Sequence, residues 1–269
     1  MIDLKTREQI EKMRVAGRLV AAVLDAVVRS AEVGVSTREL DELAEEMIRD
    51  SGAVPAFKGY QPEFIKCGPF PATLCTSINS EVVHGIPDSR PLEEGDLLSI
   101  DTGVELGGYF GDAAVSVIIG EGDPEVRRLA DATRRALNAA VGMCWPGNRL
   151  SDVSHAVQQL AESEGYSVVR RFVGHGIGRE MHEEPPVPNF GEPDHGPLLK
   201  PGMVFAIEPM VNMGTYEVLA SPDCWQVYTK DGSVSAHFEH TVAVTEDGPD
   251  VLTARAGVGA SLEVSGGFE

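Results

Sequence analysis

Apolar residues recur every three to four positions near the start of the chain, and polar caps mark where each run begins. Thr6 followed by Gln9 reads as a capping box opening a helix to about Ala31. Ser36 followed by Glu39 opens a second helix, with Leu40, Leu43, Ala44 and Met47 on one face and a stop near Gly52. From Ala53 to about Leu74 the pattern breaks into an irregular stretch bearing Pro and Gly. Short runs of strand type follow at Thr76 to Ile78, Leu97 to Thr102 and Ala113 to Ile119. The turn "LGGY" at Leu106 to Tyr109 predicts a hairpin between the last two. Two further helices are expected, from about Pro124 to Val141 and from about Ser151 to Glu164.

The second helix pair repeats the first. Gly34 and Gly52 have the same spacing as Gly147 and Gly165, and Leu40, Leu43, Ala44 and Met47 fall on Val153, Ala156, Val157 and Leu160. Amphipathic helices resemble one another, so chance competes with duplication. Two halves of helix, helix and strands nevertheless predict an α+β unit used twice. The expected organisation is one domain over residues 1–256, with halves of about 1–122 and 123–256. The Gly- and Ser-rich tail at 257–269 is expected to be disordered.

Against this pattern, five charged or ligating side chains stand out: Asp101 in "LLSIDTG", Asp112 in "YFGDAAVSV", His175 in "VGHGIG", Glu208 in "VFAIEPMV" and Glu239 in "HFEHTVAV". A charge in an apolar run is costly without a partner. Asp101 and Asp112 lie on the two arms of the expected hairpin, where facing side chains approach closely. Two carboxylates that close need a counter-charge. Four carboxylates with one imidazole suit Mn, Fe(II), Co or Zn rather than a thiolate-type structural zinc. They exceed what one catalytic ion commonly takes from a protein, and two divalent ions would use them fully. His84 and His182 are the further candidates, since amide hydrolysis needs groups that handle protons and polarise the carbonyl.

The chain has 269 residues and a formal net charge of -20, which argues against a nucleic-acid footprint or an anionic membrane partner. Four cysteines, Cys67, Cys75, Cys144 and Cys224, form no CxxC pair and suggest reduced thiols in the cytoplasm. The polar start is no secretory signal, and no apolar run reaches membrane-spanning length. "HEEPP" is not HExxH, "GHGIG" is not GxGxxG, and no GxSxG is present, so zincin, dinucleotide and serine-hydrolase readings fail.

Taken together, "CTSINSEVVHGIPD", "IDTG" with "GD" further on, "GHGIG" with "MHEEP", "IEPM" and "SAHFEHT" resemble the type I methionine aminopeptidases. The resemblance runs in order from about Thr6 to Thr253. It implies the pita-bread fold, with two pseudo-twofold halves around a dinuclear metal site. It implies removal of the initiator methionine from nascent polypeptides when the next residue is small, by a metal-bridged hydroxide attacking the scissile carbonyl. Asp101 would chelate one ion, Asp112 and Glu239 would bridge both, and His175 and Glu208 would complete the second. Glu208 would also shuttle a proton. His84 would contact substrate near the scissile amide and His182 would stabilise the oxyanion. Phe70, Cys75 and Trp225, with Met181 beside them, would line the methionine pocket.

The resemblance further implies a cytoplasmic monomer acting on nascent chains, with no direct nucleic-acid or membrane binding and transient ribosome contact through a local patch at most. The short spacing from Glu208 to Glu239 leaves no room for the type II helical insertion, and a start at the catalytic domain suits a bacterial form. Two departures bear on chemistry: a longer stretch at Gln61 to Pro69 beside the expected pocket, and His237 where the family commonly has Gln. An X-Pro aminopeptidase or dipeptidase of the same fold would use a similar metal set but usually carries a large N-terminal domain. A metal-free binding protein of this fold should have lost ligands, and all five are present.

Overall fold

A computed structural model describes residues 2–62, 66, 68–222 and 225–255. Cys67, Cys224, the tail at 257–269 and part of the Gln61 to Pro69 stretch lie outside the described residues. Four helices, α1 (Arg7–Ser30), α2 (Thr37–Asp50), α3 (Pro124–Gly142) and α4 (Leu150–Ser163), pack against antiparallel sheets. The expected caps are in place: Thr6 pairs reciprocally with Gln9, and Ser36 with Glu39. α2 and α4 begin 113 positions apart, at Thr37 and Leu150. The glycines that flank them share a left-handed backbone, with φ of 91° at Gly34, 96° at Gly147, 73° at Gly52 and 85° at Gly165. The repeat seen in the sequence is therefore also a repeat of backbone conformation.

Strands Leu97–Leu106 and Tyr109–Ile118 form the predicted hairpin, longer than the apolar runs alone suggest. Its two central residues, Gly107 and Gly108, both have positive φ, as a two-residue hairpin turn demands. The Leu97–Leu106 strand also pairs with Leu74–Ile78 and with Val54–Pro55, completing a four-stranded sheet. α1 lies across this hairpin at close range. A Cβ on Gly111 would sit 2.9 Å from the backbone nitrogen of Gly17, so the hairpin needs glycine there for the helix to approach, while a Cβ on Gly17 would meet the Leu252 carbonyl carbon at 2.8 Å.

The largest sheet orders its strands Gly248–Val251, His240–Thr245, Val204–Ile207, Gly174–Gly176 and Glu183–Val187. It is joined to the hairpin by a seam of hydrogen bonds. The Glu239 N–H donates to the Ala114 carbonyl (2.9 Å), and the Asp112 N–H donates to Thr241 Oγ1 (3.0 Å). Thr241 Oγ1 in turn donates to the Asp112 carbonyl (2.8 Å), and Ser116 and His237 exchange a similar pair. A continuous core, including Leu24, Leu40, Leu74, Ile100, Phe205 and Val242, lies beneath the sheets. Among the described residues no helix is long and apolar enough to cross a membrane.

Candidate metal centre

The five predicted side chains come from five separate pieces of chain and meet along the seam. Asp101 and Asp112 sit on the two arms of the hairpin but are not directly opposite. Asp101 pairs with Ala114 and Asp112 with Gly103, so the two acids are diagonal neighbours on one face. Their carboxyls are close enough that the Asp101 charge helps to raise the Asp112 carboxyl. His175 lies in the strand Gly174–Gly176, opposite Ala206. Glu208 follows directly on Val204–Ile207, and Glu239 falls in the gap between Ser235–His237 and His240–Thr245. These last two acids thus occupy strand ends rather than strand interiors, where the backbone can turn toward the seam.

Ligand atoms of Asp112, His175 and Glu239 all lie within 4.8 Å of one another. His175 Nε2 is 3.9 Å from an Asp112 carboxylate oxygen and 3.7 Å from Glu208 Oε1. His175 Nδ1 donates to the Gly176 carbonyl at 2.9 Å, which fixes the tautomer and leaves Nε2 as a lone-pair donor facing the carboxylates. Oδ1 of Asp101, Oδ1 of Asp112 and Oε1 of Glu239 are buried without a hydrogen-bond partner. Buried polar atoms are nearly always satisfied, so three orphaned carboxylate oxygens in one place fit a cation as their missing partner.

The electrostatics agree. Burial raises every one of the four carboxyls above the usual range, Asp101 to about 8. Repulsion among them adds to the effect at Asp112, Glu208 and Glu239. Burial also holds the histidines neutral, His175 and His237 down to about 3 and His84 to about 4. His237 packs with Nε2 3.9 Å from Glu208 Oε2 and without a hydrogen-bond partner, so it approaches the other oxygen of the carboxylate that His175 approaches.

His182 stands beside the centre, its ring 4.1 Å from the His175 ring and stacked on Tyr60 at 5.2 Å. It keeps access to solvent, whereas His175 is buried. His84 takes a left-handed backbone, φ 59°, which is strained for a residue with a Cβ. Its ring meets Phe172 edge-on at 5.8 Å and Trp225 at 6.4 Å. Phe70, Cys75 and Trp225 form one buried cluster with Phe57 and Tyr60 packed against it. Cys75 pairs directly with Asp101, so it faces the acids from the neighbouring strand. Met181 is close by, since a Cβ on Gly103 would lie 3.0 Å from Met181 Cε and 2.9 Å from Phe57. Phe57 and Tyr60 carry no periodic signal in the sequence. They lie in the aperiodic stretch, where the aromatic pair in "AFKGY" was the available signal.

A buried constellation of carboxylates and one imidazole at the seam of a pita-bread fold defines a metal-dependent hydrolase. The model of Metallopeptidase family M24 matches residues 11–246, and the chain belongs to that family. It is 50% identical over 254 residues to the methionine aminopeptidase of Clostridium acetobutylicum, covering 94% of this chain and 99% of that protein. The crystal structure of methionine aminopeptidase from Rickettsia prowazekii superposes with a TM-score of 0.91 at 40% identity, over 94% of this chain and 100% of that one. The prolidase from Pyrococcus horikoshii OT3 shares the fold at 21% identity and TM-score 0.71, with 94% of this chain matching 63% of the longer prolidase chain.

Proposed function

We propose that this protein removes the amino-terminal methionine from polypeptides whose second residue is small, and that Asp101, Asp112, His175, Glu208 and Glu239 hold two divalent ions for the purpose. The observation that carries the reading is the convergence of those five side chains with three buried carboxylate oxygens left unsatisfied. The similarity to methionine aminopeptidases along nearly the whole chain narrows the substrate. When bound, two such ions supply a nucleophile from water near neutral pH and polarise the scissile carbonyl.

The protein's own groups account for the rest. Asp101 would help to hold one ion, His175 with Glu208 would hold the other, and Asp112 and Glu239 would contribute to both. Glu208 would also take and return a proton of the attacking water. The acidic cluster also attracts the substrate's free amino group. His84, neutral through burial, hydrogen-bonds the substrate beside the scissile amide. His182, next to His175, stabilises the developing oxyanion. Phe70, Cys75, Trp225 and Met181 enclose the methionine side chain, and the apolar cluster around Trp225 offers the soft contacts a thioether favours. Nascent-chain amino termini in the cytoplasm, and a monomeric enzyme without direct nucleic-acid or membrane binding, complete the reading.

The test is release of free methionine from Met-Ala-Ser, with Met-Pro and Ala-Pro peptides alongside, by chelator-treated protein titrated with Mn, Fe(II), Co and Zn in turn. Metal-dependent methionine release with Ala-Pro untouched is expected. Cleavage of Ala-Pro in preference to Met-Ala-Ser would move the assignment to a dipeptidase, and no cleavage with any metal would overturn it.

A further inference from the structure

We infer that Arg170 and Arg171 form a cationic subsite for the downstream part of the substrate, selecting peptides with acidic side chains at about the third to fifth residues. The inference rests on the aminopeptidase reading above. It begins from the position of His84 between two apolar clusters. On one side is Trp225, in the cluster assigned to the methionine side chain. On the other is Phe172, which packs with a separate group that includes Val83, Val169 and Val227. A peptide with its first side chain by Trp225 and its scissile amide at His84 continues past Phe172.

Beyond Phe172 stands Arg171, with Arg170 next to it in the chain. The Arg171 guanidinium carbon lies 5.8 Å from the Phe172 ring centre, and that ring lies 5.8 Å from His84. Two such steps cap the distance from His84 at a span that three to four extended residues cover, at about 3.3 Å each. Arg170 is held over Tyr216 at 4.2 Å and over Phe190 at 5.5 Å. Cation–π contact fixes a guanidinium without neutralising it.

The charge is therefore available. Both arginines are exposed and, among the described residues, neither is paired with a carboxylate. This is notable in a chain with 42 acidic and 22 basic residues, where a cation readily finds an acid. The acids on the facing segment are already engaged. Glu217 pairs with Lys230 at 2.8 Å, and Asp231 accepts the Thr215 N–H at 2.7 Å and the Ser233 hydroxyl at 2.7 Å. An acidic peptide would otherwise be repelled by a protein of charge -20, and a local pair of cations on its path offsets that repulsion.

The experiment compares kcat/KM of the Mn-loaded full chain on three amidated peptides, Met-Ala-Glu-Glu-Glu, Met-Ala-Gln-Gln-Gln and Met-Ala-Lys-Lys-Lys, at low and high salt. The wild type should favour the Glu peptide over the Lys peptide by about five- to tenfold at low salt, the scale of two exposed ion pairs, and less at high salt. The ratio should collapse in R170Q/R171Q and invert in R170E/R171E. R127E, an equal change per residue on α3 remote from the path, should keep the wild-type ratio. Equal rates on all three peptides in the wild type, or an unchanged ratio in R170E/R171E, would overturn the subsite. A wild type that fails on Met-Ala-Ser as well would bring down the aminopeptidase reading with it, whereas normal Met-Ala-Ser turnover with no charge preference rejects the subsite alone.

Discussion

Stripping the metal should make folding stability fall as pH rises from 7 to 8, and restoring it should remove that dependence. In the metal-free fold, burial holds the Asp101 carboxyl at about 8, against 3.8 for an ordinary aspartate, and Asp112, Glu208 and Glu239 are raised as well. A group whose pKa is higher in the fold stabilises it fully below the unfolded value and loses that contribution as pH climbs toward the folded value. The buried histidines work in the opposite sense. His84 and His175 are depressed to about 4 and 3, so their contribution is complete above about 6.5 and is lost only as the pH drops. Between pH 7 and 8 the histidines, His182, His237 and His240 included, are neutral in the fold and only fractionally protonated when unfolded, so they oppose the slope weakly and the four raised carboxyls set its sign. A full proton difference corresponds to about 1.4 kcal/mol per pH unit. Asp101, partly ionised in that range, contributes about 1 kcal/mol, and its three neighbours act in the same direction. Urea unfolding of chelator-treated and Mn-loaded protein at pH 7.0, 7.5 and 8.0 reads this directly. The metal-free midpoint should fall, the loaded midpoint should stay level, and the gap should widen. Parallel lines for the two forms would refute the argument that these carboxyls share a buried, uncompensated site.

Four further outcomes are expected. Asp112→Ala removes a carboxylate placed between His175 and Asp101, so bound metal by elemental analysis and methionine release should both disappear; full activity would sink the two-ion assignment. His84→Ala should keep its metal and lose about 10²-fold or more in kcat, as for removal of a positioned hydrogen-bonding group, and loss of metal would instead make His84 a ligand. His237→Leu should weaken metal binding about 10- to 100-fold in a competitive chelator titration while His237→Gln restores it, because Nε2 faces the second oxygen of Glu208 at 3.9 Å; equal affinities in the two variants would remove His237 from that role. Lys5→Met should cost about 3 kcal/mol in unfolding free energy, since Lys5 is buried against Glu183, whose other oxygen accepts the Arg179 and Glu180 N–H groups and so holds the loop leading to His182; an unchanged stability would show that the ion pair is not worth its burial.

Much of this fold is legible because its signals are local. Thr6 with Gln9 and Ser36 with Glu39 announce helices through a cap that depends on four consecutive residues. Gly107 and Gly108 announce the hairpin because two successive positive φ values exclude most other residues. The five ligand-type side chains are conspicuous for the opposite reason, since a charge in an apolar run has no local explanation. What stays hidden is what distance in sequence decides. The diagonal rather than facing placement of Asp101 and Asp112 follows from hairpin register, which the Gly-Gly turn sets and the apolar pattern alone does not. Phe57 and Tyr60 reach the pocket from a stretch with no period to read. The bonds from Thr241 to Asp112 and from His237 to Ser116 join residues more than a hundred positions apart, and nothing in either local sequence calls for the other.

Those long-range bonds explain how so unfavourable a cluster is held in place. Asp112 is fixed at both backbone groups by Thr241 Oγ1, and Glu239 by its exchange with Ala114. The seam therefore sets the acids' backbones by contacts that do not involve their carboxylates. Repulsion among the acids can be relieved by taking up protons or cations, but not by drifting apart without breaking the seam. A Thr241→Val substitution separates the two effects: it removes the hydroxyl that ties Asp112 at 2.8 and 3.0 Å while keeping the shape of the side chain. If backbone locking holds the cluster, the variant should lose metal affinity in a chelator titration although every ligand remains. If the cation alone organises the acids, its affinity should match the wild type, and the seam would matter for folding but not for the site.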